Sequence, residues 1–319
     1  MAFQNISTPR IYLNIPEYLA STGLVIDPIF RTLPVSANTF SPAAFTFPSG
    51  MLGTKCFIAV LGHTLRSNNF NYIVTTNDET TTGDGEASVP TAESLTEIIN
   101  GTPATESNGF SISTFEGGGT SLTIEMVYQG DEGSGTLGDI GTVSTGIYYD
   151  FPHSPDLNLS LSYEYGGIKE TTTKGGATLT NSFYTKPPKW TDSLGAWELG
   201  GTAKYAKSGR RVWDLSFSYL SDSSVFPDNA GLANETSTTD TTGSGATDLT
   251  LLEDDSFQRV IHLTNGGQLP FIFQSDNTEG DAKEKPDSFA IAKFDMNSFK
   301  FEQVANGVYN VKLKIREVW

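Results

Sequence analysis

Residues 308–319, Val-Tyr-Asn-Val-Lys-Leu-Lys-Ile-Arg-Glu-Val-Trp, alternate apolar and polar almost without a break. Val311, Leu313 and Ile315 share one side, continued by Val318, while Lys312, Lys314 and Arg316 share the other. A period of two over this length is the signal of a half-buried strand. Terminal segments fray unless something ties them down, so Trp319 is expected to be packed and the strand to belong to a rigid building block. The same alternation recurs in Arg211-Val-Trp-Asp-Leu-Ser-Phe-Ser-Tyr219, with Trp213, Leu215, Phe217 and Tyr219 in step.

Most of the chain reads the same way. Lys55–Gly62 is a compact apolar run of strand length, expected to be buried on both faces, and Cys56, the only cysteine, falls inside it as a buried residue. Further strands are expected at 71–76, 110–115, 121–128, 143–151, 157–165, 269–274, 289–294 and 299–303, with Gly-rich turns between several of them. Two helices are expected. Pro90–Gly101 sets Leu95, Ile98 and Ile99 on one face with Thr91 as cap. The stretch from Thr250 has capping-box spacing and a face of Phe257, Val260 and Ile261, ending at Asn265-Gly266-Gly267. The sum is a mainly β chain of two β-sandwich domains, 1–155 and 156–319, the second with one helix on its flank.

Charge is distributed unevenly. The net charge is −17, and residues 1–150 hold fifteen acidic side chains against four basic ones. That balance argues against phosphate-backbone binding as the main activity, although an acidic wall lets DNA pass as cargo without sticking. The segment 166–211 is the exception. It carries Lys169, Lys174, Lys186, Lys189, Arg210 and Arg211, interleaved with Trp190 and Trp197. We read it as an arm that docks against an acidic neighbour, with a solvated loop and a nucleic-acid contact as the other readings. Residues 228–248, rich in Thr, Gly and Ser, are expected to form a long loop.

Enzymatic signatures are weak. His63, His153 and His262 stand apart from any ligand set at metal spacing, so each is expected to serve packing or a local hydrogen bond, and no metal or cofactor is expected. No nucleophile elbow accompanies a base, and the glycine clusters at 117–119 and 133–135 read as turns because no phosphate-loop Lys-Ser/Thr follows. Paired acids such as Asp131-Glu132 read as solvated turns, and a calcium site at Asp78, Asp84 and Glu86 stays open as a hypothesis. No run approaches ~20 apolar residues, so no membrane insertion is expected.

Two stretches resemble proteins of tailed bacteriophages. Phe57-Ile-Ala-Val-Leu-Gly-His-Thr-Leu65 resembles the Ala-Leu-Leu-Gly-His-Asn-Leu turn of galactose-binding-like jelly-roll domains in phage tail proteins, with Thr64 where those have Asn. Residues 151–319 resemble tail-tip or baseplate proteins of distal-tail and tail-tube type. The markers are Phe151-Pro-His-Ser-Pro-Asp-Leu157, Thr173-Lys-Gly-Gly176, Arg210-Arg-Val-Trp213, Gly267-Gln-Leu-Pro-Phe271 and the closing strand. The resemblance implies a jelly-roll first domain and a second domain that assembles into a homo-oligomeric, hexameric ring. It implies a non-enzymatic virion protein, made in the host cytoplasm, that docks other tail or baseplate proteins. Interface residues would then include Lys169, Lys174, Lys186, Lys189, Trp190, Trp197, Arg210, Arg211 and Trp319. The second reading is a carbohydrate- or receptor-binding module for host surface glycans, with His63, Tyr148 and Tyr149 on its ligand loop.

Overall fold

The structure, a computed structural model, describes residues 6–32, 38–39, 43–47, 52, 54–65, 69–77, 90–92, 96–99, 109–116, 121–128, 139–157, 159–164, 169–181, 210–227, 255–278 and 288–318. The first strands in the chain are β1 (Arg10–Asn14), β2 (Asn38–Thr39), β3 (Ala43–Thr46), β4 (Cys56–His63), β5 (Phe70–Asn77), β6 (Pro90–Ala92) and β7 (Thr96–Ile99). Next come β8 (Gly109–Phe115), β9 (Ser121–Tyr128), β10 (Asp139–Ile140), β11 (Thr142–Asp150) and β12 (Ser160–Glu164). The rest are β13 (Lys169–Thr172), β14 (Thr178–Asn181), β15 (Arg210–Ser221), β16 (Phe271–Gln274), β17 (Phe289–Phe294), β18 (Phe301–Ala305) and β19 (Val308–Glu317). Three short α-helices accompany them among the described residues: α1 (Ile15–Ser21), α2 (Asp222–Val225) and α3 (Phe257–Leu263). The chain is mainly β with large antiparallel sheets, of the β-sandwich class, as its patterning predicts.

One sheet of eleven strands dominates, in the order β12-β15-β19-β17-β16-β1-β11-β4-β8-β7, with β18 also on β19. Its inner face is built by alternate residues: Ile11 and Leu13 on β1, Ile58 and Val60 on β4, Leu215 and Phe217 on β15, Leu313 and Ile315 on β19. A four-stranded sheet, β3-β9-β5-β6, packs over one part of this face with Phe45, Tyr72, Val74, Leu122 and Ile124. The helices contribute Tyr18, Leu19, Val225, Phe257, Val260 and Leu263 to the same core. The other residues of the strands, including Tyr12, Phe57, Leu61, Phe110, Ile272 and Ile291, form a second buried cluster on the opposite face.

The sheet crosses the expected domain boundary. β1 is hydrogen-bonded to β11 on one side and to β16 on the other, so strands from 1–155 and 156–319 share one ladder. Close approach is achieved at Gly146, opposite Asn14. Gly146 has φ +150°, and a Cβ there would lie 2.3 Å from the Leu13 carbonyl oxygen. Only glycine fits between these two backbones.

Several expectations are corrected. Pro90–Gly101 is not a helix: its described parts are β6, paired with β5, and β7, paired with β8. Thr91, Thr96, Ile98 and Ile99 are β-branched, and two waiting strand edges outweigh a helical face of three residues. Pro16 stands at the start of α1, where its fixed φ suits a first turn. The flanking helix α3 is present and begins at Phe257, with Ser256 Oγ accepting from the Arg259 N–H as its cap; Thr250 to Glu253 lie outside the described residues. It ends as expected, with Asn265, Gly266 and Gly267 all at positive φ. The closing strand β19 is half-buried as predicted, yet it lies inside the sheet, bonded to β15 on one edge and to β17 and β18 on the other. Trp319, the loop at 228–248 and the trio Asp78, Asp84 and Glu86 lie outside the described residues.

Candidate functional site

β15 and β19 carry the ion pair that closes the sheet at its C-terminal end. Arg211 Nη2 lies 3.0 Å from Glu317 Oε1, and Arg211 donates from Nε and from its backbone N–H to Glu317 Oε2, at 3.2 and 2.9 Å. Nη2 also donates to the Phe289 carbonyl at 2.6 Å, and the guanidinium lies 5.1 Å from the Trp213 ring centre. Arg211, expected at an interface, is therefore committed inside the molecule. Arg210 opens β15, half-buried and in register with Glu164. Lys169 opens β13, and Lys174 stands exposed at the turn that follows. Lys186, Lys189, Trp190 and Trp197 lie outside the described residues.

The ladder of β13 and β14 runs from Lys169 opposite Asn181 to Thr172 opposite Thr178. Thr173 closes the turn: its N–H donates to the Ala177 carbonyl at 2.9 Å, and its Oγ1 accepts from the Ala177 N–H at 3.1 Å. Gly176, at φ +85°, supplies the left-handed position. The pair forms a sheet of its own, and every residue from Glu170 to Leu179 is exposed, Leu179 at 60%. The sequence carried this signal in Thr-Lys-Gly-Gly between Thr-rich runs, which reads as a hairpin turn.

The three residues expected on one ligand loop are not brought together. His63 is buried on the inner face, its Nε2 3.0 Å from Ser111 Oγ. Tyr149 is buried on that face too, against Phe151 and Phe257. Tyr148 points the opposite way, half-buried, with the Arg10 guanidinium 4.1 Å from its ring centre. Consecutive residues of a strand must face opposite sides, so the separation of Tyr148 from Tyr149 was legible in the sequence. Arg10 is held by Asp150, with contacts of 2.6 and 3.0 Å, and Asn277 Nδ2 donates to the same carboxylate. This network, 140 residues apart in the chain, had no sequence signal.

His153 Nδ1–H donates to the Ser154 carbonyl at 2.7 Å, and His262 Nε2 lies 2.8 Å from the Tyr18 hydroxyl, joining α3 to α1. Among the described residues no group of three or more His, Cys, Asp or Glu could hold a metal ion. No helix among them is long and apolar enough to cross a membrane.

Burial pushes the His63 imidazole down to about 4, with the Phe110 backbone weakly favouring the charged form. The unfolded chain takes up a proton near the ordinary value of 6.5. Below that value the unfolded state therefore binds more protons, and stability falls as pH drops from 6.5 to about 4. Between pH 7 and 4.5 the wild type is expected to lose on the order of 2–3 kcal/mol more than a His63→Asn variant. Urea denaturation at the two pH values checks this; parallel losses in both proteins would show that His63 is charged in the fold.

Comparison with protein-family models, with curated proteins and with solved structures found no match to this chain.

Proposed function

We propose that the chain is a non-enzymatic structural protein of a bacteriophage tail. It forms a ring at the tail tip or baseplate and docks other tail proteins. The observation that carries this reading is the β13–β14 hairpin, whose side chains from Glu170 to Leu179 are all exposed. An isolated two-stranded hairpin is at best marginally stable in water. One whose side chains are exposed is suited to engage a neighbour. The large antiparallel sheet supplies a rigid frame behind it, and the net charge of −17 suits a wall past which DNA moves. The phage-like turn at 57–65 and the resemblance over 151–319 support the same reading.

Electron micrographs and size-exclusion chromatography of the pure protein test it. Closed rings of uniform size are the expected result, since repeated head-to-tail contacts either close or run on as filaments. A monomer at every concentration, with no binding to co-expressed tail proteins, overturns it.

The reading as a glycan-binding module draws on one specific feature. Tyr219 sits in a β-bulge between Phe217 and Leu220 at φ +63°, 79% exposed, and its N–H donates to Asn310 Oδ1. A bulky residue held in the left-handed region is unusual and offers an aromatic face to solvent. Specific retention on a glycan array, lost on Tyr219→Ala, would favour this second reading.

A further inference from the structure

The geometry points to strand addition between copies of this chain: β14 of one copy pairs with the open edge of β12 in the next. The inference rests on the ring reading and assigns its contact.

β12 is the last strand of the eleven-stranded sheet, and among the described strands only β15 pairs with it. Ser160, Ser162 and Tyr163 are exposed along it. Sheet edges are normally guarded by lysine, proline or a bulge. β12 has no lysine or proline, and its register with β15 runs unbroken from Ser160 to Glu164. Its one charge is taken up, with Glu164 Oε2 2.7 Å from Arg316 Nη2.

The inner apolar layer is also unfinished at this edge. Leu161, opposite Trp213, is only partly buried against the core, and Tyr163 on the same side is 46% exposed. A further strand with an inward leucine would complete the layer. The β13–β14 hairpin offers that strand. Leu179 is 60% exposed and the preceding Thr178 is exposed as well, so β14 offers an apolar side chain beside a small polar one. Backbone pairing supplies the affinity in such additions, and alternate side chains set the register. Seating Leu179 beside Leu161 and Tyr163 would bury apolar surface on both partners. The contact is heterologous, since edge and hairpin are different parts of the chain, and a heterologous contact repeated around an axis makes a ring.

Disulfide capture tests it, because Cys56 is the chain's one cysteine and is buried, so it does not compete. Copies carrying Ser160→Cys or Ser162→Cys are mixed with copies carrying Thr178→Cys and mildly oxidised. Dimers joining an edge variant to a Thr178→Cys copy are expected, roughly tenfold above either variant alone. Leu179→Ser is expected to weaken association about tenfold or more while leaving the melting temperature of the dissociated chain unchanged. Dimers of the edge variants with themselves alone would overturn the assignment in favour of edge-to-edge pairing. Intact rings without mixed dimers would overturn it while the ring reading stands. No association by size-exclusion chromatography would remove both.

Discussion

Glu317→Ala is expected to cost about 3–5 kcal/mol of folding stability, measured as a lower urea midpoint at unchanged slope. The side chains of Arg211 and Glu317 are 12% and 3% exposed, so the arginine left behind has little water to turn to. The backbone N–H of Arg211 loses its acceptor as well. Removing one partner of a buried pair leaves the other charge poorly compensated, here with the Phe289 carbonyl and the Trp213 ring in place of a carboxylate, whereas replacing both with apolar groups often costs little. Arg211→Met/Glu317→Leu should therefore recover much of the loss. Recovery will be partial, because the Phe289 carbonyl and the Arg211 N–H both lose a partner. A loss below about 1 kcal/mol for Glu317→Ala would place the pair among solvent-screened surface bridges. Glu317 is the last residue of β19 and is in register with Ala292 of β17, so the pair fastens the end of that strand's ladder.

How much of this was legible depended on the range of the signal. The inward set Val311, Leu313 and Ile315 and the outward Lys312 follow from a period of two, and the structure places them so. Trp213, Leu215 and Phe217 on β15 follow for the same reason. The strand's own pattern says nothing about its neighbours, however. That β19 lies between β15 and β17, and that β1 lies between β11 and β16, is fixed by packing across hundreds of residues. The Arg211–Glu317 pair was hidden likewise: Arg211 read as one cation of a docking arm because its partner is 106 residues away. At Pro90–Gly101 the local pattern misled. Three apolar residues at helical spacing are a weak signal against β-branched Thr91, Thr96, Ile98 and Ile99, and the choice fell to the edges of β5 and β8.

Phe257→Ala is expected to cost about 3–5 kcal/mol and to shift a single unfolding transition. Phe257, 1% exposed, opens α3 and stands where the two halves of the chain meet. Its ring centre lies 6.0 Å from Tyr149 and 5.7 Å from Phe151 on one side. On the other side are Phe294, Phe299 and Phe301, at 6.1, 6.2 and 6.4 Å. Truncation removes the edge-to-face contacts and leaves a cavity ringed by stiff aromatic side chains, which relax poorly into the space. The form of the transition matters as much as its midpoint. If 1–155 and 156–319 unfolded independently, the variant would move one of two transitions and leave the other in place. With β1 threaded between β11 and β16, opening either half breaks a ladder of the other. Calorimetry of the wild type and the variant should therefore show one peak, displaced as a whole to lower temperature. Two peaks, only one of them displaced, would mean that the shared sheet does not couple the halves.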